Sequence, residues 1–171
     1  MFDHSLSGSK KDVLRDRIAK PKLLDSFDFV IIDTAPSLDN LLVNALVASD
    51  YVLLPFQPHF LSLEGIKSLT RVFFRVASYD NPSLKLLGLI PVMINARIQH
   101  HNKIKSTLST NFGSNRMFSG IRTDIKVVEA FENKMPVIFY APNTRASVDI
   151  KLLTDEILQK LEYFSLQNLS I

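Results

Sequence analysis

FDFVIIDTAPSLDNLLVNALVASDYVLLPFQPHFLSLEGI, residues 27–66, decides the fold. Phe27 to Asp33 is a short apolar run, rich in β-branched residues, that stops at a carboxylate. That pattern predicts a strand buried on both faces, as in a parallel sheet. Ser37 is placed to cap the next helix, which carries Leu41, Leu42, Ala45, Leu46 and Ala48 at helical spacing. Tyr51 to Phe56 reads as a second buried strand, closed by Pro55 and Pro58. Leu61 to Ser78 then predicts a long helix with Leu63, Ile66, Leu69, Val72, Phe73 and Val76 on its inner side.

Working outward, LKLLGLIPVMIN, residues 84–95, predicts a third strand, in which Pro91 bends the chain or removes a ladder hydrogen bond. A polar helix over 99–112, a short strand near Arg116 to Phe118 and a short helix from Asp124 to Phe131, capped by Thr123 or Asp124, follow. The last helix runs from about Asn143 to Tyr163. On the amino-terminal side, Val13 to Leu24 is a weak helical pattern ending near Pro21, after ten polar residues. Strands alternating with helices predict an α/β fold, a parallel sheet flanked by helices. With no linker rich in glycine or serine, residues 1–171 read as one domain, with 1–24 as a flank, 25–163 as the core and 164–171 as a tail.

Composition narrows the function. Lys and Arg exceed Asp and Glu by only 20 to 17, so nucleic-acid binding has to be argued from particular residues and not from net charge. The absence of cysteine excludes disulfides and thiolate chemistry and fits a reducing compartment. The first 17 residues contain no apolar signal core, and no apolar run reaches the length of a membrane span, so a cytoplasmic location is expected. His4, His59, His100 and His101 lack metal-ligand spacing.

Asp33 closes the first strand, and ligands of open parallel sheets bind at that end of the strands. A carboxylate there can hold magnesium against nucleotide phosphates. Taken alone, it reads equally well as a turn or capping aspartate. The longer string resembles the Walker-B region of ParA-type partition ATPases, approximately YDfIIIDcpPsl…nAl.aaD.vliPvq….aleGl. The matching residues are Asp28, Ile31, Ile32, Asp33, Pro36, Ser37, Asn44, Ala45, Leu46, Asp50, Pro55, Gln57, Leu63, Glu64 and Gly65. A second block, GIRTDIKVVEAFENKMPVIFYAPNTRAS at 120–147, is similar to a later segment of the same family.

The resemblance implies a P-loop NTPase-like fold with ATP and Mg2+ as cofactors, and assigns Asp33 to the magnesium and phosphate site, with Pro36 shaping the loop behind it. Gln57 and Glu64 lie on segments that approach the nucleotide or dimer face. Asn95 corresponds to an Asn or Asp that reads the adenine edge, although a turn asparagine reads the same way. Arg122, Thr123 and Asp124 would cover the adenine from the other side. Arg97 and Lys126 match positions that are usually arginine in DNA-binding relatives. Lys103 and Arg122 are their basic neighbours, and all four are candidate contacts for non-specific DNA, with solvated surface charge as the plain alternative. Implied partners are DNA, a ParB-like centromere-binding protein and a second copy of the chain. The apolar stripe of the last helix (Leu152, Leu153, Ile157, Leu158, Leu161 and Phe164) is accompanied by Asp155, Glu156 and Glu162, which suits core packing better than a MinD-like membrane helix.

Two family motifs are absent from these residues: the KGGxGKT phosphate loop and the DxDpQ motif that activates water. GSK at 8–10 lacks the glycine spacing and the preceding strand. The expectation is therefore a carboxyl-terminal part of a ParA-like DNA-segregation ATPase, inactive in hydrolysis on its own. It is read as a truncated product, a gene remnant or one part of a split protein that leaves the 29–32 run as an unpaired edge. The alternatives are a nucleotide-independent DNA- or protein-binding regulator of a full-length relative, and a MinD-like organiser.

Overall fold

The computed structural model describes residues 11–20, 26–35, 37–95 and 97–168. Pro36, and the stretch from Pro21 to Leu24 that the first helical pattern included, lie outside the described residues. The elements are α1 (Val13–Ile18), α2 (Asn40–Val47), β1 (Tyr51–Phe56), α3 (Phe60–Tyr79), β2 (Lys85–Pro91), α4 (Gln99–Phe112), α5 (Ile125–Glu132), α6 (Val137–Tyr140) and α7 (Arg145–Asn168). β1 and β2 pair in parallel, because Lys85 N donates to Asp50 O at 2.9 Å and Val92 N to Phe56 O at 2.8 Å, so both strands advance together. A third segment continues the sheet through parallel bridges between Leu89 and Met117 and between Ile94 and Arg122. Helices between parallel strands satisfy the crossover that such pairing requires.

The chain groups into two compact units. One holds residues 1–52 and 67–86, the other residues 53–66 and 87–171. In the first unit the core is Leu42, Val43, Leu46 and Val47 of α2 packed with Phe73 and Val76 of α3 and with Leu84. Asn81 closes the carboxyl end of α2, its amide Nδ2 donating to the carbonyls of Leu46, Val47 and Ser49 at 2.7–3.3 Å. The second unit is built on Leu87 and Leu89, with Ile104 and Leu108 of α4 and Ala146 and Leu153 of α7 also buried.

The structure departs from the sequence reading at the first predicted strand. Residues 27–33 form no strand, and Phe27, Phe29, Val30 and Ile31 are 63, 59, 44 and 93% exposed. A strand buried on both faces needs ladder partners for its backbone groups. Among the described residues the only strand ladder is β1 with β2, and no described backbone pairs with 27–33. The apolar content of the run is therefore not enough to make it a strand.

Smaller differences have local causes. β2 ends at the fully buried Pro91, which has no N–H of its own to donate, instead of running to Asn95, although Val92 N still reaches Phe56 O. The cap of α2 is Asp39 and not Ser37. Its carboxylate accepts from Leu41 N and Leu42 N at 2.9 and 3.2 Å, while Ser37 Oγ donates to that same carboxylate at 2.8 Å. Asp124 caps α5, accepting from Lys126 N at 3.0 Å, and Thr123 does not. The strand expected at 116–118 is a single bridge after a short 3-10 turn over Ser114–Arg116. The last helix starts at Arg145 and extends to Asn168.

Two glycines let the third segment approach β2. A Cβ at Gly88 would meet Arg116 O and the Phe118 ring at 2.5 Å. Gly120 has φ +85°, and a Cβ there would collide with Pro91 O. Gly120→Ala is expected to destabilise the chain by about 2 kcal/mol, and Leu89→Ala, at a fully buried position, by about 3 kcal/mol. Urea denaturation followed by circular dichroism checks both.

Candidate nucleotide site and its basic surround

In the first unit, the segment that carries Asp33 leads into α2. Asp33, Thr34 and Ala35 line a cavity of about 430 Å³ together with Arg17 of α1 and Asn44 of α2. Asp33 is exposed and has no hydrogen-bond partner among the described residues, so its carboxylate is not consumed by the cap, which Asp39 supplies. The Ser37 hydroxyl and the Leu41 and Leu42 amides hold Asp39 below the usual carboxylate range. Among the described residues, no cluster of three His, Cys, Asp or Glu is arranged for a metal ion. A single free carboxylate beside a hydroxyl fits magnesium, which is normally held by one or two carboxylates with water and substrate phosphates completing its shell.

In the second unit, the end of β2 and the loop before α5 are laced together. Ile94 N donates to Ile121 O at 3.0 Å, and Thr123 N donates back to Ile94 O at 3.0 Å. Asn95 is thus brought beside Arg122, Thr123 and Asp124. The backbone turns there through Met93, whose φ of 53° is uncommon for a residue with a side chain. Gln57, at the end of β1, donates its amide to Met93 Sδ at 2.8 Å.

Asn95 Oδ1 accepts from Arg97 N at 3.1 Å, which is the turn-forming behaviour weighed as its alternative. Its own N–H donates to Nδ1 of the buried His101 at 3.2 Å. His101 is a supporting residue that the sequence reading missed. It lies six positions away in the sequence, and only the turn into α4 brings its ring to that amide.

The four candidate DNA cations divide into two kinds. Arg122 forms a bidentate pair with Asp149 of α7, Nε to Oδ2 at 2.8 Å and Nη2 to Oδ1 at 2.7 Å, and its backbone N donates to Oδ2 at 2.9 Å. Asp149 is 8% exposed. The Arg122 fork holds it well below the ordinary aspartate value, and the guanidinium is raised in turn. Lys126 Nζ donates to Glu129 at 2.6 Å, and that carboxylate raises the lysine. Arg97 and Lys103 are exposed, and their side chains have no partner among the described residues. Asp149 carried no local signal, since it stands 27 positions from Arg122.

Asp124 ties this loop to α7, accepting from Ala146 N at 3.2 Å as well as from Lys126 N, and both amides lower its pKa. Glu64 is exposed on α3. In α7 only Leu153 of the expected stripe is fully buried, whereas Leu152 and Leu158 are 53 and 40% exposed. Among the described residues, no helix is long and apolar enough to cross a membrane.

Residues 4–86 match a family model described as an AAA domain. The chromosome partitioning protein ParA of Caulobacter vibrioides is 30% identical over 147 residues, spanning 86% of this chain and 55% of that protein. The chain is related to the ParA-type ATPases. Apo McdA of Cyanothece superposes with a TM-score of 0.76 at 16% identity, covering 91% of this chain and 60% of that one, and shares its parallel α/β fold. Cobyrinic acid a,c-diamide synthase of Mycobacterium smegmatis, solved with a bound ATP analog and magnesium, has a TM-score of 0.56 and 32% identity over 62% of this chain and 41% of its own. The chain spans about half the length of the curated relatives it matches.

The linkage between Asp149 and Arg122 has a defined pH sign. A carboxylate lowered on folding adds stability above its unfolded value, and that contribution is lost as pH falls through the folded value. Wild-type stability is therefore expected to fall as pH drops below the ordinary aspartate value of 3.8. Asp149→Asn should flatten that acid limb, and Arg122→Ala should lower the melting temperature by roughly 5 °C at neutral pH. Thermal melts across the pH range measure both.

Proposed function

We propose that this chain provides the Walker-B half of a ParA-type DNA-partition ATPase, acting in segregation of a plasmid or chromosome. The observation that carries the reading is the parallel pairing of Ile94 with Arg122, because it gathers Asn95, Thr123 and Asp124 at one strand end. Ligands of open α/β sheets bind outside such ends. The unconsumed Asp33 carboxylate supports a role in holding Mg2+ through water, and the resemblance adds Pro36, three positions on in the sequence. In the first unit, Mg2+ at Asp33 would neutralise phosphate charge; taken by itself, Asn95 of the second unit has an amide suited to an adenine edge.

These residues contain no phosphate loop, and hydrolysis in this reading requires one. Exposed Phe27, Phe29, Val30 and Ile31 support a complementation role: their backbone pairs with no other among the described residues, and a neighbouring strand would cover them. Partners in this reading are DNA, a ParB-like protein and a second copy, in a cytoplasmic, nucleoid-associated setting.

A nucleotide-independent DNA-binding role is the second reading, favoured by the free cations Arg97 and Lys103. Magnesium-dependent binding of a fluorescent ATP analogue that is lost in Asp33→Ala supports the first reading, and binding indifferent to Asp33 overturns it for this chain. For DNA, Arg97→Ala combined with Lys103→Ala is expected to weaken affinity about tenfold at 0.1 M salt. Lys126→Ala should have a smaller effect, since its charge is already shared with Glu129. Filter binding over a salt series reads the difference.

A further inference from the structure

Apart from the Asp33 cavity, the first unit contains a second cavity, of about 150 Å³. Its walls are Val43 of α2 and Val72 and Val76 of α3, and Val43 and Val76 belong to the buried core. An apolar cavity of about that volume accommodates a benzene-sized body. Pockets for whole metabolites and cofactors run from roughly 300 Å³ upward, so this one is sized for a single apolar side chain.

The rim is charged, and the charges do not cancel. Lys11, Arg71 and Arg75 face it against one carboxylate, Asp80, and Lys11 already occupies that carboxylate at 3.3 Å. Arg71 and Arg75 stand one turn apart on α3, both exposed and with no partner among the described residues. Like charges at that spacing repel, so the pair costs helix stability unless an anion is shared between them. Guanidinium groups take carboxylates in a bidentate fork, which makes carboxylates the fitting counter-ions.

We infer that this cavity is a docking site for an acidic protein segment that inserts one apolar side chain between α2 and α3 and sets flanking carboxylates on Arg71 and Arg75. Charge complementarity selects the partner's sign and the cavity volume selects its anchor. The site involves none of the residues assigned to nucleotide or DNA, so it stands independently of the proposed function.

Fluorescence anisotropy of the full chain with a labelled Asp-Glu-Leu-Phe-Glu-Asp peptide tests this. Saturable binding is expected, with loss of affinity in a peptide whose Leu and Phe are replaced by Ser, and in one whose acids are replaced by Lys. Arg71→Glu with Arg75→Glu should weaken binding by about tenfold or more. Arg71→Gln with Arg75→Gln should give a smaller loss and guards against a folding artefact, with far-UV circular dichroism confirming an unchanged helix content. Equal binding of the lysine peptide, unchanged affinity in both double variants, or no binding of the acidic peptide would each overturn the inference. Saturable binding of benzoate without binding of the peptide would also overturn it, because the cavity would then be a small-acid site.

Discussion

Asp149 is a nearly buried carboxylate on α7 that accepts three hydrogen bonds from Arg122, two from the guanidinium and one from the backbone. Burying a charge is costly unless it is paired and its lone pairs are satisfied, and the Arg122 fork does both. The geometry of the second unit follows from that requirement. Arg122 is fixed, so its backbone lies in the bridge to Ile94, and Asn95 and Thr123 are placed by the same ladder. Asp124 adds a second tie to α7 through Ala146 N. Below it, Ser147, fully buried, donates its hydroxyl to carbonyls of the short α6 segment.

That constraint reshapes the electrostatics of the surface. A count of basic residues near the loops treats Arg97, Lys103, Arg122 and Lys126 as equals. In the folded chain Arg122 is a structural cation and Lys126 is shared with Glu129, whereas Arg97 and Lys103 keep their charge free among the described residues. Phosphate attraction depends on charge that is not already neutralised, so the two free cations carry most of any affinity for nucleic acid. The same reasoning separates Arg71 and Arg75 from Lys11 in the first unit.

The Asp33 segment illustrates a different limit. Its sequence has the composition of a central strand, and the matched part of this chain spans only 55% of relatives such as ParA of Caulobacter vibrioides. Strand formation is a pairing property: backbone N–H and C=O groups need a neighbour as well as an apolar environment. Residues 27–33 lack that neighbour among the described residues and expose the side chains that a sheet would bury. The first unit is held instead by the α2 and α3 contact and by the Asn81 closure of α2.

The sequence by itself determined the alternation of helices and strands, because burial periodicity and caps are local properties. β1, the long helix α3 and α4 over 99–112 were all legible within short windows, and the cap of α5 was narrowed to Thr123 or Asp124. It also determined kinship, through two ordered motif blocks. Tertiary structure alone decided which charges remain available and which predicted strand finds a ladder. Arg122 meets Asp149 across 27 positions, His101 reaches the Asn95 amide only after the turn into α4, and residues 27–33 find no backbone partner among the described residues. These outcomes depend on partners distant in the chain or outside the described residues, and local pattern contains no information about such distances.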